Sequence, residues 1–231
     1  KIVTCTEDKK DTANWKDLVP HNDSILVQGF ELFKNFMAVS ERINGLTQMH
    51  IINLKDNASH YLAFDEPAYT ASIGANTDFN TNILRFNYTS LTTPVSVYDY
   101  NMVSKEKKMM KQQEVLGDFK VANYTTERAF AIAKDGTKIP VSIVYKKGFN
   151  KDGNAPMLLY AYGSYGISSD ASFSSVRLSL LNRGFAFAIA HIRGGEEMGR
   201  YWYEDGKMMK KKNTFTDFID CAEYLVVNKY T

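Results

Sequence analysis

The chain has 231 residues and 26.2 kDa, with 28 basic against 26 acidic side chains and a net charge of +2; so even a balance gives no electrostatic case for nucleic acid or an anionic membrane as partner. Hydrophobic residues at 44% and charged residues at 23% exclude a disordered chain. No apolar run reaches the ~18 residues of a membrane span, and the N-terminus lacks the basic-then-apolar pattern of a signal peptide.

From Lys1 to Gly117 the sequence reads as short strands and turns with almost no helical periodicity. Phe36–Val39, Gln48–Leu54 and Tyr61–Phe64 are strand-length apolar or alternating runs. Polar clusters separate them, and Asn44-Gly45 is a strong hairpin signal. Ile83–Tyr88 and Pro94–Tyr100 form a second set. A shift of about 45 residues lays Ala38-Val39 on Ile83-Leu84 and Leu46-Thr47 on Leu91-Thr92, a spacing in the range of a four-stranded propeller blade. Two blades cannot close a ring of the usual ~4–8, so the sequence predicts a partial propeller over 1–117.

After Asp118 the pattern changes. Thr125–Lys134 and Ile139–Tyr145 read as two strands, and Met157–Tyr160 as a continuous apolar strand of the kind buried in a parallel sheet. Ser174–Asn182 reads as a helix stopped by Arg183-Gly184, and Phe185–His191 as another buried strand running into the Arg193-Gly194-Gly195 loop. A last helix opens near Asn213-Thr214, with Asp217 completing a capping-box variant. Its apolar stripe is Phe215, Phe218, Ile219, Ala222, Leu225 and Val226. Strand and helix in alternation predict an α/β domain over 118–231. A chain that begins at Lys1 and stops after a helix, where the next parallel strand belongs, is expected to be part of a longer polypeptide.

Chemistry-bearing motifs are mostly absent. No serine sits in Gly-x-Ser-x-Gly, the strained turn that lifts a nucleophile out of a hydrolase sheet. Ser164, in Tyr162-Gly163-Ser164-Tyr165-Gly166, has tyrosine in place of the first glycine and reads as a tight Gly-Ser turn. His21, His50, His60 and His191 show no metal spacing, and His191 reads as a core or rim residue. Cys5 and Cys221 form neither a disulfide framework nor a metal pair. The Arg193–Gly195 glycines lack a phosphate-loop pattern, and Lys210-Lys211-Lys212 reads as a solvated face. The sequence calls for no cofactor and no metal.

Several stretches, in order, nevertheless form a pattern: Tyr160–Gly166, Arg177–Phe185, His191–Glu196, Trp202–Lys207 and Lys211–Phe215. Together they resemble the oligopeptidase B branch of the prolyl oligopeptidase family of serine peptidases, strongly over Met157–Tyr230 and more weakly over the first half. The resemblance implies the closing blades of a seven-bladed propeller over 1–117 and the N-terminal part of an α/β-hydrolase domain over 118–231. It also implies that the propeller caps the catalytic domain and admits only short peptides. The family's Ser, Asp and His lie beyond the segment matching Asn213–Tyr230, so no triad residue falls on a position of this chain.

What the resemblance carries over is the edge of a site. Tyr162 matches the tyrosine whose hydroxyl helps bind the oxyanion, in the loop where this fold keeps such a donor. Tyr165 matches an aromatic that lines the substrate pocket, or packs ordinarily. Asp170 matches a carboxylate near basic-residue subsites, able to pair with a guanidinium, or is a solvated loop aspartate. Ser172 stands where the branch commonly has a second aspartate, which weakens any case for paired basic residues. In the Arg193–Glu197 loop Glu196 replaces the family's third glycine, and a structural ion pair is the simpler role for these charges.

Two main readings follow. One is part of a serine oligopeptidase that hydrolyses short peptides after Arg or Lys, whose partners are those peptides and the rest of the same polypeptide. The other is a non-catalytic fragment or scaffold. A proline-specific oligopeptidase is the sister alternative. An unrelated esterase is disfavoured by the propeller-like sequence ahead of the hydrolase segment.

Overall fold

The computed structural model describes Lys1–Thr231. Its first element is a two-stranded ribbon, β1 (Ile2–Thr4) with β2 (Lys16–Val19). Two four-stranded antiparallel sheets follow, each in simple meander order. The first comprises β3 (Ile25–Leu32), β4 (Phe36–Ile43), β5 (Leu46–Asn53) and β6 (Ser59–Tyr61). The second comprises β7 (Tyr69–Ile73), β8 (Ile83–Ser90), β9 (Ser96–Asn101) and β10 (Lys107–Gln112). At Asn44-Gly45 both residues take positive φ, +50° and +78°, the two-residue turn whose twist suits a hairpin.

The repeat of about 45 residues holds between β4 and β8 but fails one strand later. Ile43 and Leu46 face each other across a two-residue turn, whereas Leu91–Val95 intervene between β8 and β9. Leu91-Thr92 therefore lie in a connection and not at the start of a strand. Buried Phe33, Phe36, Met49, Leu84, Phe86 and Tyr100 fill the space between the two sheets.

The remaining strands form one mixed sheet in the order β11 (Tyr124–Ile132), β12 (Lys138–Lys146), β14 (Ala186–Ala190), β13 (Met157–Tyr160). Only β13 and β14 are parallel. β14 is buried throughout, as its sequence predicts. β13 is not: it lies at the sheet edge, and Leu158 and Tyr160 are about half exposed. Helix α1 (Ser175–Asn182) is capped by the Ser174 hydroxyl, which accepts from the Arg177 amide at 3.4 Å. A short helix α2 (Arg200–Glu204) and the long α3 (Lys212–Val227) complete the chain.

The inward face of α3 differs from the predicted stripe. Thr214, Asp217, Asp220, Cys221 and Leu225 are buried, while Phe215, Ile219 and Val226 are exposed. The helix turns two carboxylates inward, where each meets donors: Asp217 receives the buried Arg193, and Asp220 accepts from the Lys134 amide at 3.0 Å. The expected Thr214–Asp217 capping box is absent because the helix starts two residues earlier, at Lys212, and Thr214 Oγ1 donates to the Arg193 carbonyl at 2.8 Å.

An apolar cluster joins the blade-like sheets to the mixed sheet, with Ala68 and Leu91 against Tyr124, Val144, Leu181 and Phe187. Arg42 of β4 adds a polar crossing at Asp170, 2.8 Å away. No helix is long and apolar enough to cross a membrane.

Candidate active-site edge

The loop leaving β13 holds the candidate residues, and three features fix its path. Gly163, Tyr165 and Gly166 all have left-handed backbone, with φ of +63°, +56° and +69°. A Cβ on Gly163 would stand 2.6 Å from Thr214 Cγ2 and 2.7 Å from Ile192 Cγ1, so only glycine lets the loop pass this close. The Gly166 amide donates to the Gly194 carbonyl at 3.0 Å, tying this loop to the Arg193–Gly195 loop.

That second loop hangs from a buried ion pair. Asp217 Oδ2 accepts from the Arg193 amide at 3.0 Å and from Nε at 2.8 Å, and Oδ1 accepts from Nη2 at 2.5 Å. Arg193 Nη1 reaches Asp135 at 2.7 Å. These bonds, Asp217's first, hold the guanidinium's pKa above its ordinary value. The arginine is thus structural, as its sequence suggested, with Asp217 and Asp135 as partners. Glu196 instead pairs with Arg200 at 3.2 Å, and Glu197 is buried, its Oε1 accepting from the Ser169 amide at 2.7 Å. Burial pushes the Glu197 carboxyl up to about 7.

Tyr162 and Asp170 line one cleft of about 460 Å³ with Ser172 and Arg177. The Tyr162 ring is half exposed, and its hydroxyl has no hydrogen-bond partner within the chain. Asp170 is neither free nor simply solvated: Arg42 holds Oδ1, while Oδ2 carries no donor. Arg177 stacks on Phe187 at 4.0 Å and donates to the Ser172 carbonyl at 2.9 Å; burial lowers its pKa to about 10. Tyr165 stands apart. It is 82% exposed and does not line this cleft, because the left-handed turn points its ring outward.

Ser164 has no histidine as a hydrogen-bond partner. Its Oγ lies 2.6 Å from Lys211 Nζ, and the histidines are bonded elsewhere: His21 to Asp23, His50 to Glu41, His60 to Tyr100 and His191 to Ser142. Burial, with Arg128 and Arg42 nearby, drives His191 down to about 3 and keeps its imidazole neutral. No group of His, Cys, Asp or Glu is arranged to hold a metal ion.

Two residues at this edge escaped the sequence reading. Lys211, expected in solvent, turns inward to the Gly163 carbonyl at 2.5 Å. Arg42 lies 128 positions from the aspartate it holds, and nothing local announces that pairing.

Known proteins match the chain in both of its regions. The family model described as the prolyl oligopeptidase N-terminal beta-propeller domain matches residues 1–113, and that of the prolyl oligopeptidase family matches 171–231. Dipeptidyl aminopeptidase BI of Pseudoxanthomonas mexicana is 51% identical over 231 residues, 100% of this chain and 32% of that protein. Protease 2 of Moraxella lacunata is 38% identical over 221 residues, 96% of this chain and 32% of its own length. The structure of oligopeptidase B from Leishmania major superposes with a TM-score of 0.87 at 38% identity, over 96% of this chain and 32% of that one. The chain spans about a third of the length of the curated relatives it matches. With a propeller domain matched at its start, a peptidase domain matched at its end, and likeness to such peptidases along its whole length, the chain belongs to the prolyl oligopeptidase family.

Proposed function

We propose that this chain supplies the last two blades of a seven-bladed propeller (1–117) and the N-terminal part of an α/β-hydrolase domain (118–231) of a serine oligopeptidase that cleaves short peptides after Arg or Lys. The Ser, Asp and His of the triad come from polypeptide outside these residues, so the chain alone is inactive. The observation that carries the reading is the shared cleft, with an unpartnered phenol at the end of β13 and an anchored carboxylate beside it.

The chemistry follows from that pairing. Attack on a peptide carbonyl builds negative charge on its oxygen, and a preset O–H donor stabilises that charge more than the ground state. Tyr162 is the donor in this reading. Asp170 receives the substrate cation: Arg42 fixes Oδ1, leaving Oδ2 to accept a charge-assisted hydrogen bond from a guanidinium or ammonium. Tyr165, exposed on the same loop and outside the cleft, has no role in this reading.

A second reading rests on Ser172 and on the relative named a dipeptidyl aminopeptidase. With one carboxylate in place of two, Asp170 would take the free α-ammonium of a substrate, and the enzyme would release dipeptides. A peptide panel assayed with the intact enzyme separates these. Cleavage of an N-blocked peptide after Arg or Lys supports the first reading. Dipeptide release that blocking abolishes supports the second. Cleavage only after proline overturns both.

A further inference from the structure

Lys210, Lys211 and Lys212 look alike in sequence, but only Lys211 is drawn into the fold. Lys210 pairs with Asp205 at 2.7 Å on the surface. Lys211 sits just before α3 and points at the loop that carries Tyr162. Its Nζ donates to the Gly163 carbonyl at 2.5 Å and to Ser164 Oγ at 2.6 Å. It forms no ion pair with any carboxylate of the chain, although eight other lysines and arginines do so at 3.2 Å or less. Partial burial lowers its pKa. An ammonium without a counterion is thus spent on one backbone carbonyl and one hydroxyl.

The place of that carbonyl gives the contact its meaning. Gly163 follows Tyr162 directly, in left-handed backbone, wedged against Ile192 and Thr214. Thr214 Oγ1 approaches the same oxygen at 3.4 Å. The direction of the Tyr162 side chain depends on how this peptide is held, and Lys211 supplies its two shortest bonds.

We propose that Lys211 is a positioning residue for the Tyr162 hydroxyl, clamping the Gly163–Ser164 segment so that the phenol is preset toward the developing oxyanion. The proposal rests on the reading of Tyr162 as oxyanion donor. A loop held loosely would still bind peptide, so the loss should appear in turnover more than in binding.

The test is a double-mutant cycle in the intact enzyme, measuring kcat and KM on one chromogenic peptide. Lys211→Met should lower kcat about 10- to 100-fold, the scale of a misplacement near 1 Å, and leave KM within about threefold. Lys211→Arg, which keeps charge and donors, should recover most of the loss. In a Tyr162→Phe background Lys211→Met should cost less than about twofold, because the hydroxyl it positions is gone. Equal loss in both backgrounds, or no loss in the first, would overturn the proposal while leaving Tyr162 as donor. A Tyr162→Phe enzyme with unchanged kcat would overturn the underlying reading and this inference with it. Should Lys211→Met fail to fold, Lys211→Gln runs the same cycle, with the same outcomes deciding.

Discussion

Replacing Asp217 by alanine should unfold the edge of the site from within. Asp217 is fully buried and accepts all three of its bonds from Arg193, itself 6% exposed. Without the carboxylate, the guanidinium keeps only Asp135, which is half exposed, and the Arg193 amide loses its acceptor. Breaking a buried pair by removing one partner costs about 3–5 kcal/mol. The orphaned amide belongs to the same loss, so about 4 kcal/mol, close to a thousandfold in the folding constant, is the expected size. The damage should spread, because the Gly194 carbonyl next to Arg193 receives the Gly166 amide of the Tyr162 loop. Trp202, 2% exposed and donating to the His191 carbonyl at 3.0 Å, reports on this region. Urea unfolding of residues 1–231 at pH 7, followed by its fluorescence in a Trp15→Phe background, measures the loss. A paired Arg193→Met/Asp217→Leu variant should recover most of the stability, since apolar replacement of a buried ion pair is often neutral. A loss below about 1 kcal/mol for Asp217→Ala, or a double variant no better than the single, would refute the assignment of the pair as the loop's anchor.

Three further outcomes are expected. Glu197, whose folded pKa of about 7 stands above its ordinary 4.5, penalises folding fully above pH 7 and not below about 4.5. Glu197→Gln should therefore flatten the fall in melting temperature between those pH values, and a wild-type slope in the variant would contradict the burial argument. Gly163→Ala should destabilise by ~2 kcal/mol or more, from positive φ together with the collision on Ile192 and Thr214. Gly148→Ala, at φ +88° with nothing within 4 Å, should cost distinctly less in the same melt. Asp170→Asn should raise KM for an Arg or Lys peptide about tenfold or more with kcat nearly unchanged, and the increase should shrink at high salt.

Much of the strand content was legible because one-face burial writes an alternation into the sequence. β4, β5, β8, β9, β11, β12 and β14 all overlap runs recognised from pattern, and Asn44-Gly45 marks its turn. β10 escaped because Lys107–Gln112 is exposed on both faces and so carries no periodicity. Lysines along such an edge discourage pairing with another chain, a pressure that erases the strand signal. On α3 the period was right and the face was shifted: Leu225 and Phe218 of the expected stripe pack on the core, while Phe215, Ile219 and Val226 do not. Asp217 and Asp220 look like solvent residues until their donors, Arg193 and the Lys134 amide, are known. Resemblance alone singled out Tyr162 and Asp170 as candidates, whereas the contacts of Lys211 with Gly163 and of Arg42 with Asp170 span 48 and 128 positions. Local pattern encodes which elements form; it does not encode which distant carbonyl or carboxylate a given cation will meet.

The central claim is that the Tyr162 hydroxyl serves as an oxyanion donor of a serine peptidase. It is tested most directly by steady-state kinetics of Tyr162→Phe in the intact enzyme on a peptide that the wild type cleaves. The account predicts a fall in kcat of about 100-fold or more, the scale of losing one such donor, with KM within about threefold. An unchanged kcat, or a loss confined to KM, would contradict it.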